Sequence, residues 1–114
     1  MKHKTRKWYL RDGTITRDIR EWGAKFKDLA YKRVAETTLP DGKWVSTVWM
    51  GLDHQYAEHG PPLIFETMVF PSEHDLDDLD CERYSTEAEA LVGHAAMVAK
   101  WSLGGGPPSE GPQT

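Results

Sequence analysis

Residues 43–53, KWVSTVWMGLD, and residues 63–70, LIFETMVF, decide how this 114-residue chain folds. Each is dense in β-branched and aromatic side chains, and each spans the length of a strand. In the first, Val45, Thr47 and Trp49 fall on one face, and Trp44, Ser46, Val48 and Met50 on the other. Tryptophan on both faces predicts a central strand. In the second, Leu63, Phe65, Thr67 and Val69 share one side, and Ile64, Glu66, Met68 and Phe70 the other. The link between them, HQYAEHGPP, is polar and ends in Pro61-Pro62, which predicts a loop.

Working outward, Leu39-Pro40-Asp41-Gly42 is a turn: proline presets φ and glycine accepts the left-handed position. It predicts a preceding strand over 31–39 that places Ala35 opposite Thr47 and Val34 opposite Val48. Nearer the N-terminus, Trp8–Leu10 and Thr14–Thr16 flank Asp12-Gly13, read as a hairpin with a two-residue turn. Asp18 is a helix N-cap with Glu21 as its capping-box partner. Ile19, Trp22 and Phe26 then form the apolar stripe of a helix of about eight to ten residues.

Past Phe70, residues 71–82 carry six carboxylates and read as an acidic connection. Thr86 and Glu89 form a capping box for a long C-terminal helix. Its stripe is read as Ala88, Leu91, Ala95 and Val98, extended by Met97 and Trp101. The fold class that follows is α+β. A small antiparallel β-sheet, made of an N-terminal hairpin and a three-stranded meander, is packed by a long C-terminal helix and a short helix. The expected organisation is a flexible basic arm over 1–7, one domain over 8–102, and a disordered Gly/Pro tail over 103–114.

Composition narrows the function classes. A single cysteine, Cys81, forbids an intramolecular disulfide and fits a reducing cytoplasm. Asp80 and Glu82 beside it raise its pKa, so it is not read as a nucleophile. No apolar run approaches the ~20 residues of a membrane span. The basic N-terminus lacks the apolar segment of a secretory signal. Charge is uneven: residues 1–33 hold eleven Lys/Arg against four acids, a net of +7, whereas 34–114 hold three against fourteen, a net of −11. Such asymmetry points to an electrostatic partner or to neutralisation within the fold or across a homodimer.

A few polar residues carry the candidate chemistry. Glu66 interrupts an apolar strand, where a lone carboxylate is costly unless paired. His94 lies in the C-terminal helix on the face of Ala90, Met97 and Trp101, beside Gly93, whose small size suits close backbone approach. Together Glu66 and His94 would make a minimal acid–base unit. Asp53, His54 and His59 share the loop after the central strand. Asp53, His54, Glu66 and His94 are therefore the candidate ligand-binding set, with no catalytic or metal assignment and no cofactor. The spacing of the two loop histidines matches no recognised metal signature. Lys2, Lys4, Arg6 and Lys7 with Trp8 and Tyr9 offer an alternative, a backbone-tracking arm with stacking platforms for nucleic acid. The acidic 73–82 segment argues against that reading.

Three segments, Trp44–His54, Gly60–Phe70 and Asp80–Thr86, are similar to those of small proteins encoded by bacteriophages and prophages. The likeness covers about half the chain and brings no assigned activity or catalytic residue. It implies a phage accessory protein made in a bacterial cytoplasm. The leading expectation is stoichiometric binding of a host protein or small ligand without catalysis. The alternatives are a small metal-dependent or acid–base enzyme using His54, Glu66 and His94, and a nucleic-acid binder using the basic arm.

Overall fold

The computed structural model describes residues 7–53 and 61–102. A two-stranded ribbon, β1 (Trp8–Tyr9) and β2 (Ile15–Thr16), comes first. Helix α1 (Ile19–Phe26) and the one-turn α2 (Leu29–Lys32) follow. Strands β3 (Arg33–Thr38), β4 (Trp44–Trp49), β5 (Phe65–Phe70) and β6 (Asp80–Tyr84) form a four-stranded sheet in chain order, with every neighbouring pair antiparallel. Helix α3 (Glu87–Ser102) ends the described chain. The α+β class holds, with one more strand and one more helical turn than the sequence reading supplied. Residues 1–6 of the basic arm expected over 1–7, the loop histidines 54 and 59, and the tail over 103–114 lie outside the described residues.

Both tight hairpins use the same device. Gly13 and Gly42 take φ near +90° and donate to the carbonyls of Leu10 and Leu39, both at 2.9 Å. Asp12 and Asp41 each accept from the backbone N–H two residues on. The first hairpin is thus a three-residue loop, not the two-residue turn expected. Its ladder pairs Trp8 with Thr16 and Tyr9 with Ile15.

Strand β3 begins later than expected, because Asp28 caps α2 by accepting from the N–H groups of Ala30 and Tyr31. Ala35 faces Thr47 as expected, but Arg33 rather than Val34 faces Val48, through a bulge between Arg33 and Ala35. Asp18 caps α1 by accepting from the Arg20 N–H. Glu21, the expected box partner, instead accepts from the Thr16 hydroxyl at 2.6 Å. The box at α3 is formed: Glu89 N–H donates to Thr86 Oγ1, and Glu89 Oε1 accepts from the Thr86 N–H.

The inner sheet face carries Val45, Thr47 and Trp49 beside Phe65, Thr67 and Val69, all fully buried. Helix α3 lies on it through Ala90, His94, Met97 and Trp101. This corrects the stripe expected from the sequence. Leu91 is exposed, as are Ala88 and Ala95, and only Val98 of that set touches the core. The large side chains of Met97 and Trp101 bury more apolar area than the alanines of the competing stripe, and burial decides which face turns inward. The end of the inner face is covered by the N-terminal lobe. Phe26 and Tyr31 meet Trp49 at ring separations of 6.2 and 5.1 Å, and Trp22 stacks between Trp8 and Phe26. Ile64, expected beside Glu66, instead turns into the core.

Strand β6 forms where an acidic connection was expected. Its inward residues are anchored despite their polarity. Asp80 accepts from Lys100 Nζ at 2.7 Å and Trp101 Nε1 at 2.9 Å, and the Tyr84 ring slides under α3. Burial opposes ionisation of Asp80, but the hydrogen bonds from Lys100 and Trp101 prevail and hold its pKa below the usual carboxylate value. Charged residues also suit an edge strand, which they guard against further strand pairing.

Candidate functional site

The three candidate residues that are described, Asp53, Glu66 and His94, do not converge. Glu66 pairs across the ladder with Val48 and Arg83, so its side chain emerges on the outer face. It is only 6% exposed. Its Oε2 accepts from Arg83 Nε at 3.0 Å and from the Cys81 thiol at 3.5 Å. Burial, reinforced by the Glu66 charge, pushes the Cys81 thiol up to about 11. That leaves it protonated and unreactive at neutral pH.

His94 lies on the inner face, 8% exposed. Nδ1 is 2.7 Å from Thr47 Oγ1, and Nε2 is 2.8 Å from Thr37 Oγ1. Thr47 continues to Thr67 at 2.5 Å. Both ring nitrogens are thus occupied by hydroxyls, each able to donate or accept. Burial lowers the His94 pKa, which keeps the imidazole neutral at pH 7. The sheet backbone separates His94 from Glu66, so the acid–base unit considered above is not assembled.

This Thr37–His94–Thr47–Thr67 belt crosses the core between two apolar clusters. One contains Tyr9, Trp49, Ile64, Phe65 and Ala90, the other Leu39, Val45, Val69, Met97 and Trp101. At its far end the Tyr84 hydroxyl is buried without a hydrogen bond of good geometry. Burial raises its pKa, and the nearby Thr67 hydroxyl only partly offsets this. Gly93 explains the fit. A Cβ there would collide with the Tyr84 ring and hydroxyl, so only glycine lets tyrosine pass beneath the helix.

Asp53 serves the loop: its Oδ1 accepts from the Leu63 N–H at 3.0 Å, tying together the two ends of segment 54–60. His54 lies outside the described residues. Among the described residues, no group of three or more His, Cys, Asp or Glu is arranged to hold a metal ion. None of the helices described is long and apolar enough to cross a membrane.

The surface feature missed from the sequence is a basic lobe. The charge count placed the basic character on residues 1–33; what it could not resolve is which of those cations, within α1 and α2, stand without an ion-pair partner. Among the described residues, Lys7, Arg17, Lys25, Lys27 and Lys32 enter no ion pair with a carboxylate. Lys25 and Lys32 instead lie over the rings of Tyr31 and Phe26 at 4.8 and 3.8 Å. Among the described residues, the ion pairs Arg11–Glu87 and Arg33–Glu36 join the basic segment to the acidic remainder. Arg11 grips both Glu87 oxygens, at 2.7 and 2.8 Å, which holds the Glu87 pKa down. The two halves therefore do not neutralise each other within the described fold. Ile19 (55% exposed) and Leu29 (63%) stand on the same lobe. Trp8 and Tyr9, read as stacking platforms, are instead buried, with Trp8 stacked on Trp22.

No protein-family model matches this chain, and no similar protein was found among curated proteins or solved structures.

Proposed function

We propose that this chain works without catalysis, as an accessory protein of the phage type that its sequence resembles, binding a host protein stoichiometrically in the bacterial cytoplasm. The contact surface is the α1–α2 lobe, and the partner presents an acidic face. One observation carries this reading: among the described residues Arg17, Lys25, Lys27 and Lys32 enter no ion pair with a carboxylate, and the same lobe exposes Ile19 and Leu29. Cations with a few accessible apolar side chains suit a protein surface, where charge steers the encounter and apolar contact retains it. A nucleic-acid backbone offers little to Ile19 or Leu29, and burial of Trp8 and Tyr9 withdraws the rings that would stack on bases. The enzymatic alternative lacks its His–carboxylate pair, since Glu66 and His94 point to opposite faces.

The test is capture from nuclease-treated bacterial lysate, comparing the full chain with a Lys25→Glu, Lys27→Glu, Lys32→Glu variant. Native mass spectrometry should show one protein in fixed ratio, lost from the variant and weakened at about 0.5 M salt, where screening is short-ranged. Equal recovery by the variant sinks the lobe as the contact surface. A steep salt-dependent affinity for DNA or RNA, lost in the variant, favours the nucleic-acid alternative instead.

A further inference from the structure

Between the edge strand β6 and helix α3 lies a cavity of about 300 Å³, lined by Glu82, Tyr84, Gly93, Ala96, Met97 and Lys100. Its α3 residues recur at i, i+3, i+4 and i+7, which is one face of the helix. The gap has a cause in the sequence. Asp80, Glu82 and Tyr84 alternate along β6 and share its inner face. Asp80 and Tyr84 are anchored there, but Glu82 between them is exposed, although it pairs in the ladder with the buried Thr67. On the helix, Gly93 and Ala96 are too small to fill the space that a core side chain at position 82 would take. None of Asp53, Glu66 and His94 lines this cavity.

Two polar groups of the wall have unspent capacity. Among the described residues, the Tyr84 hydroxyl is a buried polar atom left without a hydrogen-bond partner. Glu82 enters no ion pair among the described residues. Burial raises the Tyr84 pKa and the Glu82 charge adds to it, so carboxylate and ring are near neighbours. Lys100, by contrast, is already neutralised, since its Nζ donates to Asp80 at 2.7 Å. The uncompensated charge of the lining is therefore negative.

From this we infer that the cavity is the binding site of a small organic cation, an ammonium group carried on a compact apolar body. The Glu82 carboxylate takes the ammonium, and the Tyr84 ring in the same wall adds the aromatic surface that such cations favour. Met97 and Ala96 receive the apolar body, with the bare backbone of Gly93 leaving room beside them. Methionine adapts its shape to such a guest. An anion of the same shape meets the Glu82 charge and is refused.

Size narrows the class further. Ligand sites run from about 300 to 1,000 Å³, and this one stands at the small end, which suits one ring with a short aminoalkyl chain. A peptide would have to lay its backbone along β6, whose charged residues guard that edge. A free small molecule needs only the cavity. Lys100, 59% exposed, and Glu82 leave the mouth open to water, so binding is weak. Arg17, Lys25, Lys27 and Lys32 are absent from the lining, so the inference stands or falls apart from the proposed contact with a host protein.

The test is an NMR titration of the isotope-labelled full chain with phenethylamine, phenethyl alcohol and hydrocinnamate, which share one body and differ in the charge at its end. We expect phenethylamine to shift the signals of residues 82–84 and 93–100 with a dissociation constant on the order of 1 mM. The alcohol should bind about tenfold more weakly, and hydrocinnamate not measurably. Glu82→Gln should weaken the amine about tenfold and leave the alcohol within about twofold. Ala96→Leu, at an exposed helix position, fills the cavity and should abolish binding of both. Far-UV circular dichroism confirms that each variant is folded, and Glu82→Gln carries the test if Ala96→Leu is not. The proposal is overturned if none of the three probes shifts those residues, or if hydrocinnamate binds as tightly as the amine. Amine binding unchanged by Glu82→Gln, or by a folded Ala96→Leu, overturns it as well.

Discussion

Glu66 and Thr67 are consecutive on β5, yet they face two differently organised environments. Glu66 looks outward and pairs with an arginine whose side chain is 38% exposed. Thr67 looks inward and joins a chain of hydroxyls ending on a neutral imidazole. Both faces bury polar groups to a similar degree. Outside, a counter-ion with access to water serves. Inside, neutrality and mutual hydrogen bonding serve, because an unpaired charge in the core would cost several kcal/mol. The lesson is that burial alone does not mark a reactive site. What marks one is a polar group left with unused capacity, and neither Glu66 nor His94 is in that state.

The comparison can be broken most forcefully at the belt. His94→Ala removes two hydrogen bonds and opens a cavity over Thr47 and Thr37, so it should cost about 3–4 kcal/mol in chemical denaturation. Wild-type stability should also depend on pH in a defined direction. The folded pKa of His94 lies below its unfolded value near 6.5. Stability is therefore complete above that pH, falls as the unfolded state takes up its proton, and levels off below the folded pKa. Subtracting the His94→Ala profile should remove this component; an unchanged slope would contradict the buried neutral imidazole.

Next in size is Gly93→Ala, whose methyl group must displace the Tyr84 ring, at about 2–3 kcal/mol. If Tyr84→Ala in the same chain does not reduce that cost, the close passage is not its cause. On the outer face the effect should be smaller. Arg83→Met strips Glu66 of its guanidinium, but partial solvent access limits the loss to about 1–2 kcal/mol. A loss as large as that of His94→Ala would erase the distinction between the faces. The least effect is expected of Tyr84→Phe, neutral or stabilising by up to about 1 kcal/mol, because it deletes a hydroxyl that has no good partner.

Most of the architecture was legible because local signals agreed with it. The glycines at 13 and 42, the caps at Asp18 and Thr86, and the alternation through β4 and β5 each act over a few residues. Strand β6 was hidden because its residues are charged. What makes Asp80 acceptable is Lys100 and Trp101, twenty residues away in sequence. The same distance problem governed the site. Sequence could mark Glu66 and His94 as unusual, but it put them within reach of each other, whereas the sheet separates them. It could not reveal that threonines from β3 and β4 bracket the imidazole, since threonine in a strand is ordinary. Likewise, Arg17, Lys25, Lys27 and Lys32 look like unremarkable helix-surface residues until it is visible that, among the described residues, none enters an ion pair with a carboxylate.

The bracketed histidine also fixes how far along the sheet the last helix can sit. Sliding α3 by one turn, about 5.4 Å, would bring Ala90 or Val98 over the hydroxyls of Thr37 and Thr47 and strand them. Purely apolar surfaces tolerate such slippage at modest cost. Here a single imidazole works as a dowel between helix and sheet, so the alternative alignments are disfavoured and one arrangement is selected.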